Sequence, residues 1–245
     1  VGGSAGGLDA YTRLLRHLPA DMGVAIVIVN HLRLVSTMLD EILLRYTAMP
    51  VELITEGLVL RPDHVFIIPP RRDLHVRGGE FRLRRISKPR GWPDVITVFL
   101  RSLTLHWDGQ LIAVIVSGYD GDGAAALCGI QEVGGITIAQ APETAAHPDM
   151  PESAIASQCI DFVLSPEEIA REIIRIADRV PQGGIVPDEI IAKRESRDKV
   201  KCQDGVGADR RAHAVSRRAR SGPAGLRQRL RQRRGEHRQI RLGPG

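Results

Sequence analysis

The chain has 245 residues, 43% of them hydrophobic and 26% charged, with a formal net charge of +5. That is enough apolar material for one sizeable core, yet the longest apolar runs, 24–29 and 111–116, are far too short to span a bilayer. The charge is uneven, about +10 over residues 183–245 and about −5 over residues 1–182, so the body carries no nucleic-acid footprint.

Val1 reads as the last residue of a strand whose beginning is absent, and the Gly-rich run Gly2-Gly3-Ser4-Ala5-Gly6-Gly7 as the turn that follows it. Leu8, Tyr11, Leu14, Leu15 and Leu18 then fall at helical spacing, and Pro19 ends the helix. The run 24–30 (VAIVIVN) has the continuous β-branched character of a strand buried on both faces. Residues 36–47 predict an amphipathic helix with Met38, Ile42 and Leu43 inward. Residues 64–70 predict a strand, and 73–85 a hairpin turning at Gly78-Gly79. A helix over 93–107 carries Val95, Val98, Phe99 and Leu103 on one face. It is followed by a buried strand at 110–118, a helix at 124–133 closed by Gly134-Gly135, and strands at 136–140 and 160–164. The last helix, 165–180, has Ser165 as N-cap, Pro166 at the first helical position and Glu168 completing a capping box.

Strands alternating with helices predict an α/β three-layer αβα sandwich, with a mostly parallel Rossmann-like sheet and one antiparallel hairpin. The ordered domain is expected to span 1–182. Residues 183–245 read as a basic, disordered linker and tail, since they are rich in Arg, Gly and Gln and no Phe, Trp or Tyr follows Phe162. Such a tail offers acidic partners only salt-dependent phosphate contacts. Three cysteines, Cys128, Cys159 and Cys202, lie far apart without metal-ligand spacing. An odd, sparse set suits a reducing cytoplasm, and Cys128 and Cys159 read as small buried apolar side chains. No secretory signal or membrane segment is visible, and no cofactor or metal is implied.

In parallel α/β sheets, sites gather at the carboxyl ends of strands. Three loops therefore matter: the one carrying Ser4, the one beginning Asn30-His31, and Ser117-Gly118-Tyr119-Asp120-Gly121-Asp122-Gly123. Gly2 to Gly6 fits G-x-S-x-G, which displays a nucleophile on a tight strand-to-helix turn. Two phosphate-binding alternatives fail on spacing. No lysine precedes Lys88, as a P-loop would require, and Ser4 stands where a dinucleotide fingerprint starting at Gly2 needs its second glycine. A serine nucleophile needs a base, and His31 directly follows a buried strand. The other histidines read as core or surface groups, with His147 in a loop able to approach the site. The base in turn needs an acceptor, and Asp120 and Asp122 are both available, although an Asp/Gly loop also suits an ordinary turn. The order Ser…His…Asp differs from the Ser…Asp…His order of α/β-hydrolases.

The motifs GGSAGG (2–7), VIVNHL (27–32), MPVELITEGLVLRPDHVFIIPPRRDL (49–74), VIVSGYDGDGAAAL (114–127), GGITIAQAPETA (134–145) and MPESAI (150–155) occur in order. Over residues 1–180 this pattern resembles the catalytic domain of CheB, the chemotaxis protein-glutamate methylesterase. The resemblance implies Ser4 as nucleophile, His31 as base and Asp122 as the orienting acid. The Ala5 amide and Tyr119 become candidates for the oxyanion and substrate site. It further implies methyl ester hydrolysis on glutamyl side chains of chemoreceptor helices, releasing methanol, with glutamine deamidation by the same route. Arg33, Arg71 and Arg72 are candidates for docking an acidic helix, and MPESAI for a helix supporting the site. Some family members carry an N-terminal receiver domain and others lack one; such a domain, a partner the resemblance suggests, lies outside these residues. The chain departs from the family at Asn30, usually glutamine, and at Tyr119-Asp120-Gly121. There a second carboxylate joins Asp122, able to raise the histidine's pKa or displace the acid. A catalytically impaired CheB-like regulatory module is the alternative reading.

Overall fold

The computed structural model describes residues 1–31, 38–88, 93–107 and 110–179. In chain order these form β1 (Gly2–Gly3), α1 (Gly7–Leu15), β2 (Ile26–Asn30), α2 (Leu39–Leu43), β3 (Val51–Leu53), β4 (Val65–Ile67), β5 (Arg72–Arg77), β6 (Glu80–Arg85), α3 (Val95–His106), β7 (Ile112–Ile115), α4 (Leu127–Glu132), β8 (Ile136–Gln140), α5 (Asp149–Ala156), β9 (Phe162–Leu164) and α6 (Pro166–Arg179). Short 3-10 turns at Ala124–Ala126 and Pro142–Thr144 complete the set.

Seven strands form one sheet in the order β3-β4-β2-β1-β7-β8-β9, and every neighbouring pair is parallel. β5 and β6 pair antiparallel beside it, turning at Gly78 and Gly79, both at positive φ (60° and 76°) as a tight hairpin turn requires. The β-branched runs explain the central strands. Successive side chains point to opposite faces, so Ile26 and Ile28 enter one core and Val29 the other, while Val114 and Ile115 divide in the same way. One core holds Tyr11 and Leu14 of α1 with Ile169, Ile173 and Ile176 of α6. The other holds Phe99 of α3, Leu127 and Ile130 of α4, and Met150 and Ala154 of α5. Two helical layers on the two faces of one parallel sheet make the expected three-layer sandwich. Among the described residues no helix is long and apolar enough to cross a membrane.

Several local expectations hold in detail. β8 spans 136–140 as predicted, and the predicted hairpin forms around its glycine pair. At α6 the backbone N–H of Ser165 donates to Glu168 Oε2 at 2.9 Å, and its hydroxyl donates to the same oxygen at 2.7 Å. Other expectations need correction. α2 is a helix of five residues, with Met38 turned out at 56% exposure and Leu39 and Leu43 inward. A helix of little more than one turn aims only two side chains at the core. β3 has no strand signal of its own in the sequence. It is an edge strand of three part-exposed residues, organised by pairing with β4 and not by a hydrophobic run of its own. The boundary expected at 182, the basic tail and Arg33 lie outside the described residues.

Cys128 and Cys159 are not separate apolar side chains. They form a disulfide joining α4 to the segment after α5, with Cα atoms 5.0 Å apart. Spacing of 31 residues in sequence could not show that the fold brings α4 and the segment after α5 together. Closing a loop of this length restricts the unfolded chain, which the entropic model values at about 3–4 kcal/mol. Reduction with dithiothreitol is therefore expected to lower the urea-unfolding free energy by about 2–4 kcal/mol, while a Cys128→Ser/Cys159→Ser variant becomes insensitive to the reductant.

Candidate active site

The sheet order places three loops together. β1 lies between β2 and β7. The chain leaves β1 toward β2 and later returns to β7 on its other side, so a crevice opens at the carboxyl end of β1. Ser4 follows β1 directly, His31 follows β2 directly, and the Ser117–Gly123 loop follows β7.

The Ser4 turn is held by its backbone. Ser4 N–H donates to Ser117 O at 2.9 Å, and Gly7 N–H donates to Ser4 O at 3.0 Å. Ser117 is the hub beneath it. Its hydroxyl donates to Ala5 O at 2.8 Å and accepts from His147 N–H at 3.0 Å, while its own N–H donates to the buried Gln140 side-chain oxygen at 3.0 Å. These contacts explain the glycines around Ser4. Gly6 adopts φ +73°, and a Cβ there would lie 2.5 Å from Ser117 Oγ and 2.7 Å from Ala146 Cβ. Gly118 is wedged between Ser4 and α5, where a Cβ would fall 1.9 Å from Met150 Sδ. Gly6→Ala is expected to destabilise by more than about 2 kcal/mol in urea unfolding. The left-handed backbone alone costs a non-glycine residue about 1–2 kcal/mol, and the collision adds to it.

Asp122 is buried at 8% exposure and accepts three hydrogen bonds. Oδ2 accepts from His31 Nε2 at 2.8 Å and from Ile96 N–H at 2.8 Å, and Oδ1 accepts from Thr97 N–H at 2.9 Å. Ile96 and Thr97 open α3, so Asp122 caps that helix from a distant segment, where its N-terminal amides and dipole favour a carboxylate. Thr97 Oγ1 accepts from Gly123 N–H at 2.8 Å and ties the loop to the helix.

His31 lies between two carboxylates. Its Nε2 is bonded to Asp122, and its Nδ1 sits 3.1 Å from Asp120 Oδ2. The second contact is an ion pair, and neither atom has a hydrogen-bond partner among the described residues. Burial alone would lower the His31 pKa, but the contacts and charges of Asp120 and Asp122 outweigh it and push it up to about 9. Burial also opposes ionisation of Asp120, yet the imidazole and the Asp122 N–H hold its pKa below the ordinary aspartate value. Among the described residues the Ser4 hydroxyl makes no hydrogen bond to His31.

The remaining candidates are placed as follows. Ala5 N–H has no partner among the described residues and directly follows Ser4. Tyr119 is 58% exposed, with its ring centroid 3.9 Å from that of His147. The His147 loop does approach the site, its carbonyl accepting from Gly118 N–H at 3.0 Å. Arg71 and Arg72 are exposed after β4. Residues 150–155 lie in α5, whose Met150 packs beneath Gly118. Sequence reasoning did not find the amides of α3 or Gln140, because no sequence signal links them to the loops they hold. Among the described residues no three His, Cys, Asp or Glu side chains form a group that could hold a metal ion.

Comparison with known proteins places this fold in a family. Residues 1–173 match the family model described as CheB methylesterase. A protein-glutamate methylesterase/protein-glutamine glutaminase of Burkholderia thailandensis is 36% identical over 182 residues, 73% of this chain and 53% of the relative. A Leptospira interrogans protein that bears the same double name provisionally is 33% identical, over 72% of this chain and 92% of its own. The crystal structure of the Thermotoga maritima CheB methylesterase catalytic domain superposes with a TM-score of 0.65 at 27% identity, covering 71% of this chain and 95% of that one. The chain thus spans about half the length of the Burkholderia relatives it matches. With this sheet order, these three loops and the family match over residues 1–173, the chain belongs to the CheB methylesterase family.

Proposed function

We propose that the chain is a serine hydrolase that removes the methyl ester from glutamyl side chains of chemoreceptor helices in the cytoplasm, releasing methanol. The observation that carries this reading is the convergence of Ser4, His31 and Asp122 at the carboxyl ends of three neighbouring parallel strands, with His31 bonded to Asp122 at 2.8 Å. Because Nε2 of His31 is engaged by Asp122, Nδ1 is the nitrogen left to serve Ser4. Ser4 Oγ attacks the ester carbonyl and its proton passes to Nδ1 of a neutral His31. The imidazolium then protonates the departing methoxide, leaving an acyl group on Ser4. Water, deprotonated by the same nitrogen, releases the glutamate. The Ala5 N–H, without a partner among the described residues, is suited to the developing oxyanion, since it is the amide immediately after the nucleophile. The exposed Tyr119 ring offers a flat face to an incoming helix. Glutamine would react by the same steps with ammonia leaving, in keeping with the double name of the relatives.

Methanol release from methylated chemoreceptor, followed with the whole chain, tests the reading. Release that ceases in Ser4→Ala supports it. A folded chain that releases no methanol between pH 6 and 10 from several methylated receptors overturns it.

A further inference from the structure

The Ser117–Gly123 loop contributes two carboxylates to His31, and only one of them is needed to orient a base. Asp122 fills that role through Nε2. Asp120 is anchored separately. Its Oδ1 accepts the Asp122 N–H at 3.0 Å, which fixes the carboxylate so that Oδ2 faces Nδ1 at 3.1 Å. The histidine side chain is only 3% exposed there. Nδ1 is the nitrogen that must present a lone pair to Ser4, and a carboxylate oxygen facing a lone pair is repelled. The contact is attractive only when Nδ1 carries a proton. With both nitrogens protonated, His31 can accept nothing from Ser4.

We propose that Asp120 is a positioning residue that holds His31 in a resting state between two carboxylates, with the base occupied, and that proton transfer from Ser4 requires this contact to be released. The inference rests on the esterase reading for its kinetic consequence, and on geometry for the arrangement itself. The charges acting on His31 among the described residues are those of Asp120 and Asp122. α3 faces the pair with backbone amides already taken by Asp122, and Asp94 at its start is paired with Lys88. His147, on the neighbouring loop, lies tilted against the Tyr119 ring.

The direction of the His31 shift agrees. Its pKa stands above the ordinary histidine value, at about 9, so the protonated clamp predominates at neutral pH and is lost as pH rises through 9. Methanol release by the wild type should therefore climb with pH up to about 9. Neutralising Asp120 should move that acid limb downward and raise the rate at pH 7 by roughly tenfold or more, one pKa unit being a factor of ten in free base.

The test uses the whole chain as wild type, Asp120→Asn and Asp120→Gly, the second guarding against an Asn that keeps the contact. Histidine nitrogen resonances followed by NMR titration report His31 directly, without substrate, and methanol release is measured across the same pH range. The expected result is a lower His31 pKa in both variants and an acid limb shifted by the same amount. Equal His31 titration in wild type and both variants overturns the proposal. So does a changed titration with an unchanged pH–rate profile. A lowered His31 pKa with no methanol release from any of the three proteins overturns the esterase reading and the kinetic half of the proposal with it, while the clamp itself is shown by the titration. If one variant fails to fold, the other decides.

Discussion

Ser4→Ala is expected to lower kcat for methanol release by at least about ten-thousand-fold while leaving the fold intact. The size follows from covalent catalysis. Removing the nucleophile of a cooperating triad forfeits the whole acyl-enzyme route, and only the contribution of oxyanion stabilisation and binding survives. The structural effect is small for a definite reason. The bonds that hold the turn run through the Ser4 backbone, to Ser117 O and from Gly7 N–H, and among the described residues the hydroxyl makes none. A change of no more than about 0.5 kcal/mol in urea unfolding is therefore expected. Methanol release and unfolding measured on the same preparation separate the two effects. Full activity in a folded Ser4→Ala protein would remove Ser4 from the chemistry.

Asp122→Asn should damage both activity and stability. Oδ2 of Asp122 receives two donors, His31 Nε2–H and Ile96 N–H. An amide nitrogen in that position sets donor against donor, and the alternative rotamer meets the same conflict at Thr97 N–H. The imidazolium formed during the reaction also loses its counter-charge. A comparable neutralisation in a serine protease triad costs about ten-thousand-fold in kcat, and a similar loss is expected here. Leaving buried donors unsatisfied costs about 1–3 kcal/mol each, so destabilisation of about 2–4 kcal/mol should accompany it as the start of α3 loosens. The two carboxylates on His31 are thereby told apart. Neutralising Asp122 stops the reaction, whereas neutralising Asp120 speeds it at neutral pH. If Asp120→Asn abolishes methanol release and Asp122→Asn preserves it, the roles assigned to the two residues are reversed.

Much of the fold was legible because the decisive signals are local. The β-branched runs that became β2, β7 and β8, the glycine pair at the β5–β6 turn, and the Ser165/Glu168 cap each depend on neighbours a few residues away. The elements that were misjudged lack such signals. α2 is too short to display a period, β3 is organised by its partner strand, and the pairing of Cys128 with Cys159 depends on how α4 and α5 are carried by the sheet. Among the candidate site residues, the sequence pointed to loops at strand ends. It could not show that Ser117 ties the Ser4 turn to the His147 loop, or that α3 donates two amides to Asp122.

By itself, then, the sequence determined the alternation of strands and helices, the turns that end them, and which residue types stand at the carboxyl ends of β1, β2 and β7. Periodicity and turn chemistry are properties of consecutive residues and survive without a partner. Tertiary structure decided the rest. Whether His31 meets Asp122, Asp120 or both, and through which nitrogen, depends on the relative placement of segments 91 residues apart and on side-chain rotamers chosen in a buried crevice. In that setting the difference between an oriented base and an occupied one rests on which groups come within hydrogen-bond range, about 3 Å between heavy atoms. No pattern along the chain encodes a distance of that kind.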